Sequence, residues 1–166
     1  MPFTPIHLGV GAVAKAAGAR HFSFLVFGGS QVLMDLEPLY RMLTSDPIVH
    51  GRSHTVLGAA VIGTLAMLIG KPVSEFALRL FKSVCATISW KAAASGAYIG
   101  TFSHVLLDAV MHVDMEPWWP VGAQNPLLGV LTTGGLHALL VVCGVVGGAV
   151  VAARSSPRGK RPEHDD

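Results

Sequence analysis

The chain has 166 residues, 51% hydrophobic and only 13% charged, with 19 glycines and a formal net charge of +2. The length suits one domain, and the composition argues against an ordinary water-soluble one: so few charges suit apolar, glycine-rich helices packed closely in lipid. The small net charge, with no basic stripe interleaved with aromatics, argues against nucleic acid as a partner.

In chain order, Met1 to Pro5 lacks the basic start of a secretory signal, so insertion is expected to use the helices of the mature chain. Ile6 to Ala19 forms a first apolar segment, short for a full span and ended by Arg20 and His21. A second runs from Phe22 to about Leu36, where Asp35, Glu37 and Pro38 predict its end because proline removes a helix donor. The brief turn between the two predicts a hairpin. Glu37 to Ser53 is polar, with Arg41, Asp46, Pro47, His50 and Arg52, and reads as a loop.

Val56 to Ile69 is a third apolar segment, closed by Gly70, Lys71 and Pro72. Val73 to Phe81 then reads as a separate amphipathic surface helix, with Phe76, Ala77 and Leu80 on one face and Glu75, Arg79 and Lys82 elsewhere. A fourth segment spans about Ala92 to His112. It leads into an acidic, aromatic loop of Asp114, Glu116, Pro117, Trp118, Trp119 and Pro120, whose tryptophans suit a membrane interface. Leu127 to Ala153 is the longest apolar run, and a basic tail expected to be disordered follows. Cys85 and Cys143 fall in different segments without ligand spacing, which supports neither a disulfide nor a thiolate metal site.

If five segments cross, His7, Asp35, Glu37, His54, Asp108 and His112 all fall at segment ends on one side. Arg20, Lys71, Arg79, Lys82, Lys91, Arg154, Arg158, Lys160 and Arg161 fall on the other, and only Arg41 and Arg52 join the ionisable side. The positive-inside bias then makes the basic side cytoplasmic and the ionisable side extracytoplasmic.

The richest stretch is the fourth segment, where His104, Asp108 and His112 recur every fourth residue and so share a helix face. At about 1.5 Å of rise per residue the two histidines stand roughly 12 Å apart with the carboxylate between them. A histidine and an aspartate one turn apart offer a nitrogen and an oxygen to one divalent cation. His7, Asp35 and His54, on separate segments, can converge on them. Ionisable groups in lipid cost several kcal/mol unless compensated, and a bound metal compensates them. Singly, each has a plainer reading: His7 as a helix start, Asp35 as a stop signal, His54 and His50 as interfacial histidines, and His104 with Asp108 as a hydrogen-bonded pair between helices. Their convergence favours metal. His50, Glu37, His112 and Glu116 are candidates for a second site, and His137 reads as a structural hydrogen-bonding residue.

Taken together, His7, Met34-Asp35-Leu36-Glu37-Pro38, His50-Gly-Arg-Ser-His54-Thr55 and Ser103-His104-Val-Leu-Leu-Asp108, followed by Trp118-Trp119-Pro120, resemble the bacterial membrane-bound metal-dependent hydrolases of the YdjM type, LexA-regulated inner-membrane proteins. The resemblance covers most of the chain up to Pro120. That family looks related to the all-helical zinc-dependent phospholipase C and P1 nuclease group, which cleaves phosphate esters with clustered zinc ions. Two departures stand out. The family's Pro-Asp-x-Asp-His appears here without its histidine, and its His-Arg-Gly-x-Thr-His-Ser is one residue shorter.

The sequence therefore predicts an all-α polytopic membrane bundle of about five helices over residues 1–153, phospholipase C-like by resemblance, with a basic cytoplasmic tail over residues 154–166. Zinc, one to three ions, is expected on His7, Asp35, His54, His104 and Asp108. His54, His104 and Asp108 are expected to hold the catalytic ion, Asp108 to be shared with an ion on His7, and Asp35 and Glu37 to be the catalytic carboxylates. The expected activity is hydrolysis of a phosphate ester, with a phospholipid headgroup as the substrate that fits the location. A metal or proton transporter and a non-catalytic membrane structural protein are the rival readings.

Overall fold

A computed structural model describes residues 5–82 and 86–155. Over these residues the fold is all-α: five helices, α1 (Leu8–Gly18), α2 (Phe24–Leu43), α3 (Val56–Leu80), α4 (Trp90–Met111) and α5 (Thr133–Ser155), with short 3-10 turns at Pro5–His7, Ala19–His21 and Arg52–His54. Three helix starts are capped by hydroxyls: Ser23 Oγ accepts from Val26 N–H, Thr55 Oγ1 from Gly58 N–H and Ser89 Oγ from Ala92 N–H. Each cap satisfies a backbone donor that the helix itself cannot.

Helix α4 is the axis of the bundle. It packs against both α2 and α3, while α1 lies against α5. Small residues set these distances. A Cβ added to Gly96 or Gly100 would collide with Ser23 O or Ser30 Oγ, so glycine lets α4 close onto α2. Gly147 of α5 similarly lies against the Ala12 backbone of α1. An apolar cluster of Val26, Ala66, Ala93 and Ala97 fills one end of the bundle, and Met34, Ala59, Val105, Ala109 and Met115 form a second beside the histidines.

The distribution of polarity runs opposite to that of a water-soluble globule. His7, Gln31, Asp35, His54, Thr101, His104 and Asp108 are buried, whereas Leu57, Val61, Leu65, Leu68 and Ile69 on α3 and Val141, Val142, Val145 and Val146 on α5 are exposed. Helices α3 and α5 are each long and apolar enough to cross a membrane.

Several boundaries differ from the sequence reading. Pro38 does not end the second segment: α2 continues through it to Leu43, so the first part of the predicted loop is helical. Pro72 does not separate two helices either, because α3 runs unbroken from Val56 to Leu80 and includes the piece expected to be a surface helix. A proline costs one backbone bond and a local clash, on the order of 3 kcal/mol, and packing along the rest of a long helix outweighs that. The fifth segment begins at Thr133 rather than Leu127 and carries Arg154 and Ser155 within it, where Arg154 Nη1 donates to Ala16 O. Cys85 and the rest of the basic tail, including Arg158, Lys160 and Arg161, lie outside the described residues.

Candidate metal centre

Four elements bring the five expected ligands together. The turn Pro5–His7 delivers His7, α2 delivers Asp35, the turn Arg52–His54 delivers His54, and α4 delivers His104 and Asp108 one turn apart. All five are at most 6% exposed. Asp108 is the hub. Its Oδ1 lies 3.7 Å from His7 Nε2, and its Oδ2 lies 3.5 Å from His54 Nε2 and 3.1 Å from His104 Nε2. Asp35 Oδ1 lies 3.5 Å from the same His104 nitrogen.

These contacts lack hydrogen-bond alignment. Among the described residues, both ring nitrogens of His7, together with Nε2 of His54 and Nε2 of His104, are buried and find no hydrogen-bond partner. Leaving a buried polar atom unsatisfied costs about 1–3 kcal/mol, so several around one carboxylate require a shared partner. A divalent cation fits. Zinc bonds of about 2.0–2.2 Å in a tetrahedral arrangement place neighbouring ligand atoms roughly 3.4 Å apart. The four separations around Asp108 and Asp35, 3.1 to 3.7 Å, straddle that value. Imidazole and carboxylate are also the ligand types that zinc and its neighbours accept.

The residues form three groups with ligand atoms within 4.8 Å of one another: His7, His104 and Asp108; Asp35, His54 and His104; and His50, Asp108 and His112. The third brings in two histidines that the sequence reading held as candidates for a second site. His50 and His112 approach to 4.2 Å between ring centroids, and His50 and His54 to 5.0 Å. His50 Nδ1 is held 2.9 Å from Asp114 Oδ1, and Asp114 Oδ2 accepts the backbone N–H groups of Val49 and His50, each at 2.9 Å. Burial pushes the Asp114 carboxyl up, but these backbone and ring hydrogen bonds from His50 and Val49 prevail and hold it down at about 2.

Glu37, Glu116 and His137 stand outside the three groups. Glu37 works as a brace: Oε1 accepts from Arg41 Nε at 2.8 Å and Oε2 accepts from Ser53 N–H at 2.8 Å, which pins the His50–His54 turn onto α2. Glu116 Oε2 accepts from Arg52 Nη1 at 3.1 Å. His137 is half-buried on α5.

Two residues next to the histidines were not singled out from sequence. Gln31 Oε1 lies 2.6 Å from His104 Nδ1, and Ser53 Oγ lies 2.8 Å from His54 Nδ1. For Ser53 the adjacency to a histidine was visible; for Gln31 the signal was an amide within an apolar segment, one turn before Asp35.

Two depressions flank the centre. A polar cavity of about 340 Å³ is lined by Arg41, His50, Arg52, Asp114 and Glu116. An apolar groove of about 770 Å³ lies between Leu57, Ala60 and Phe102 on one side and Trp118, Trp119 and Val121 on the other. Arg52 stands between them, with its guanidinium carbon 4.0 Å from the Trp119 ring centroid. No family model matches the chain, and no curated protein and no solved structure matches it.

Proposed function

We propose that this chain is a membrane-embedded hydrolase of phosphate esters that depends on a divalent cation, zinc by ligand type, with its site opening toward the extracytoplasmic side. The observation that carries the reading is the set of buried imidazole nitrogens, without a hydrogen-bond partner among the described residues, spaced around Asp108 at separations suited to metal ligands. Asp108 is placed to be shared, with His7 beside Oδ1 and His54 and His104 beside Oδ2. The group of His50, His112 and Asp108 gives room for a further ion, in keeping with one to three ions overall.

A cation bound there supplies Lewis acidity and lowers the pKa of water toward about 7. The protein's own residues do the remainder. Asp35, buried against His104, serves as a ligand or accepts the proton that the attacking water gives up. Arg52 lines the polar cavity and stacks on Trp119, where a guanidinium suits a phosphate oxygen pair. The apolar groove beside it suits the tail of a lipid substrate.

Lipid embedding is supported by the exposed aliphatic faces of α3 and α5 and by the buried polar interior. The resemblance to YdjM-type hydrolases points the same way. A transporter would need a polar path to the far side, and the apolar cluster of Val26, Ala66, Ala93 and Ala97 occupies that end of the bundle.

Elemental analysis of the purified protein, paired with hydrolysis of bis(p-nitrophenyl) phosphate and of phospholipid vesicles, tests the reading on wild type and Asp108→Asn. Wild type should carry metal and turn over an ester, and the variant should do neither. Metal without turnover on any phosphate ester would remove the hydrolase, and a metal-free wild type that stays metal-free in added zinc would remove the centre.

A further inference from the structure

Gln31 and Asp35 lie one turn apart on α2, so they share a face, and that face meets both ring nitrogens of His104. Gln31 Oε1 lies 2.6 Å from Nδ1, and Asp35 Oδ1 lies 3.5 Å from Nε2. The orientation of the carboxamide is not arbitrary. Gln31 Nε2 lies 3.0 Å from the carbonyl oxygen of Gly100, which can only accept. The amide nitrogen must therefore face Gly100, and the amide oxygen must face His104. An amide oxygen only accepts, so the proton of that bond belongs to His104 Nδ1.

For the neutral ring that a metal ligand must be, this fixes the other nitrogen. With Nδ1 protonated, a neutral His104 presents its lone pair at Nε2, which is buried with no hydrogen-bond partner among the described residues and faces Asp108 Oδ2 at 3.1 Å and Asp35 Oδ1 at 3.5 Å. A lone pair facing two carboxylates is repulsive unless a positive charge lies among them. The local backbone suits this arrangement, since a Cβ on Gly100 would meet Ser30 Oγ and stand 3.2 Å from Phe27 O, and glycine lets α4 lie close to α2 beside Gln31.

We propose that Gln31 is the positioning residue that locks His104 in the Nδ1-protonated form and reserves its Nε2 for the divalent cation. The inference rests on the metal reading above and adds a residue that the reading does not require. An outer residue that orients a ligating histidine in this way typically governs metal affinity by ten- to a hundredfold. The alternative is that Gln31 only ties α2 to α4, and the two make different predictions.

The experiment uses the full chain in micelles, labelled with ¹⁵N-histidine, with the His104 signals assigned by their loss in His104→Asn. Zinc-loaded wild type should show His104 protonated at Nδ1, and competition against a chromophoric chelator should give its zinc affinity. Gln31→Met keeps the shape and removes the acceptor, so it should lose the fixed tautomer and about ten- to a hundredfold in zinc affinity; Gln31→Glu keeps the acceptor and should stay within about threefold. A wild-type proton on Nε2 would overturn the proposal without needing a variant, as would Gln31→Met binding zinc like wild type. Equal losses in both variants, following only their melting temperatures, would reduce Gln31 to a helix tie. If wild type takes up no zinc, the metal reading fails and takes the reserved ligand with it, while the tautomer spectrum of the same sample still decides whether Gln31 holds the ring.

Discussion

His50 Nδ1 and Asp114 Oδ1 lie 2.9 Å apart, joining the turn before α3 to the loop after α4. The same carboxylate also receives the Val49 and His50 backbone N–H groups, so one side chain organises the rim of the candidate metal centre. Its pKa is lowered from 3.8 to about 2, which means the carboxylate stabilises the fold at full strength above about pH 4 and loses that contribution as pH falls through about 2. Asp114→Asn should therefore melt below wild type at neutral pH, and the gap between the two should close as pH falls from about 4 toward 2. Melting curves of both proteins across that range check it; a gap that stays constant would remove the assignment.

Asp108 touches three imidazoles, so its replacement should be felt by all of them. Asp108→Asn and His104→Ala should each lower bound metal and phosphodiesterase activity by more than about a hundredfold, beyond the range typical of residues outside the ligand shell. Far-ultraviolet circular dichroism should remain that of the same helical bundle. Full metal retention in both variants would contradict the centre.

Metal removal should act on stability as well as activity. A ligand present at about a thousand times its Kd stabilises a native state by about 4 kcal/mol, so the melting temperature should rise with free zinc and fall on chelation. Acid should release the metal, because the ligating imidazoles must be neutral to bind. Zinc titrations followed by melting, repeated at successively lower pH, check both. A melting temperature indifferent to zinc would count against it.

Glu37 separates a brace from a catalyst. Its carboxylate holds Arg41 and the Ser53 backbone, each at 2.8 Å. Hydrogen bonds to a charged group contribute about 1.5–3 kcal/mol, so Glu37→Ala should destabilise the protein by that order. Bound zinc should stay close to the wild-type amount. Loss of zinc with unchanged melting would instead assign Glu37 to the centre.

Much of the fold was legible in the sequence because helix formation is local. Apolar runs and the four-residue spacing of His104 and Asp108 both act within a turn or two of chain. Those signals predicted an all-α chain of about five helices and picked out the buried His7, Asp35, His54, His104 and Asp108. The continuation of α2 through Pro38 and of α3 through Pro72 was not legible, since local chemistry says stop and packing over the whole helix overrules it.

Which side chains meet was decided by the tertiary structure. Asp35 reaches His104 while Glu37, two residues on, turns to Arg41 and Ser53, and His50 meets His112 and Asp114 as well as its chain neighbour His54. Gln31 shows in the sequence only as an amide in an apolar segment, yet it contacts the ring of a residue 73 positions away because Gly100 lets two helices close to contact distance. Interactions a few residues long set the helices and the stock of ligating groups. The approach of α2 to α4, and with it the surroundings of His104, depends on shape across the bundle, which no local pattern encodes.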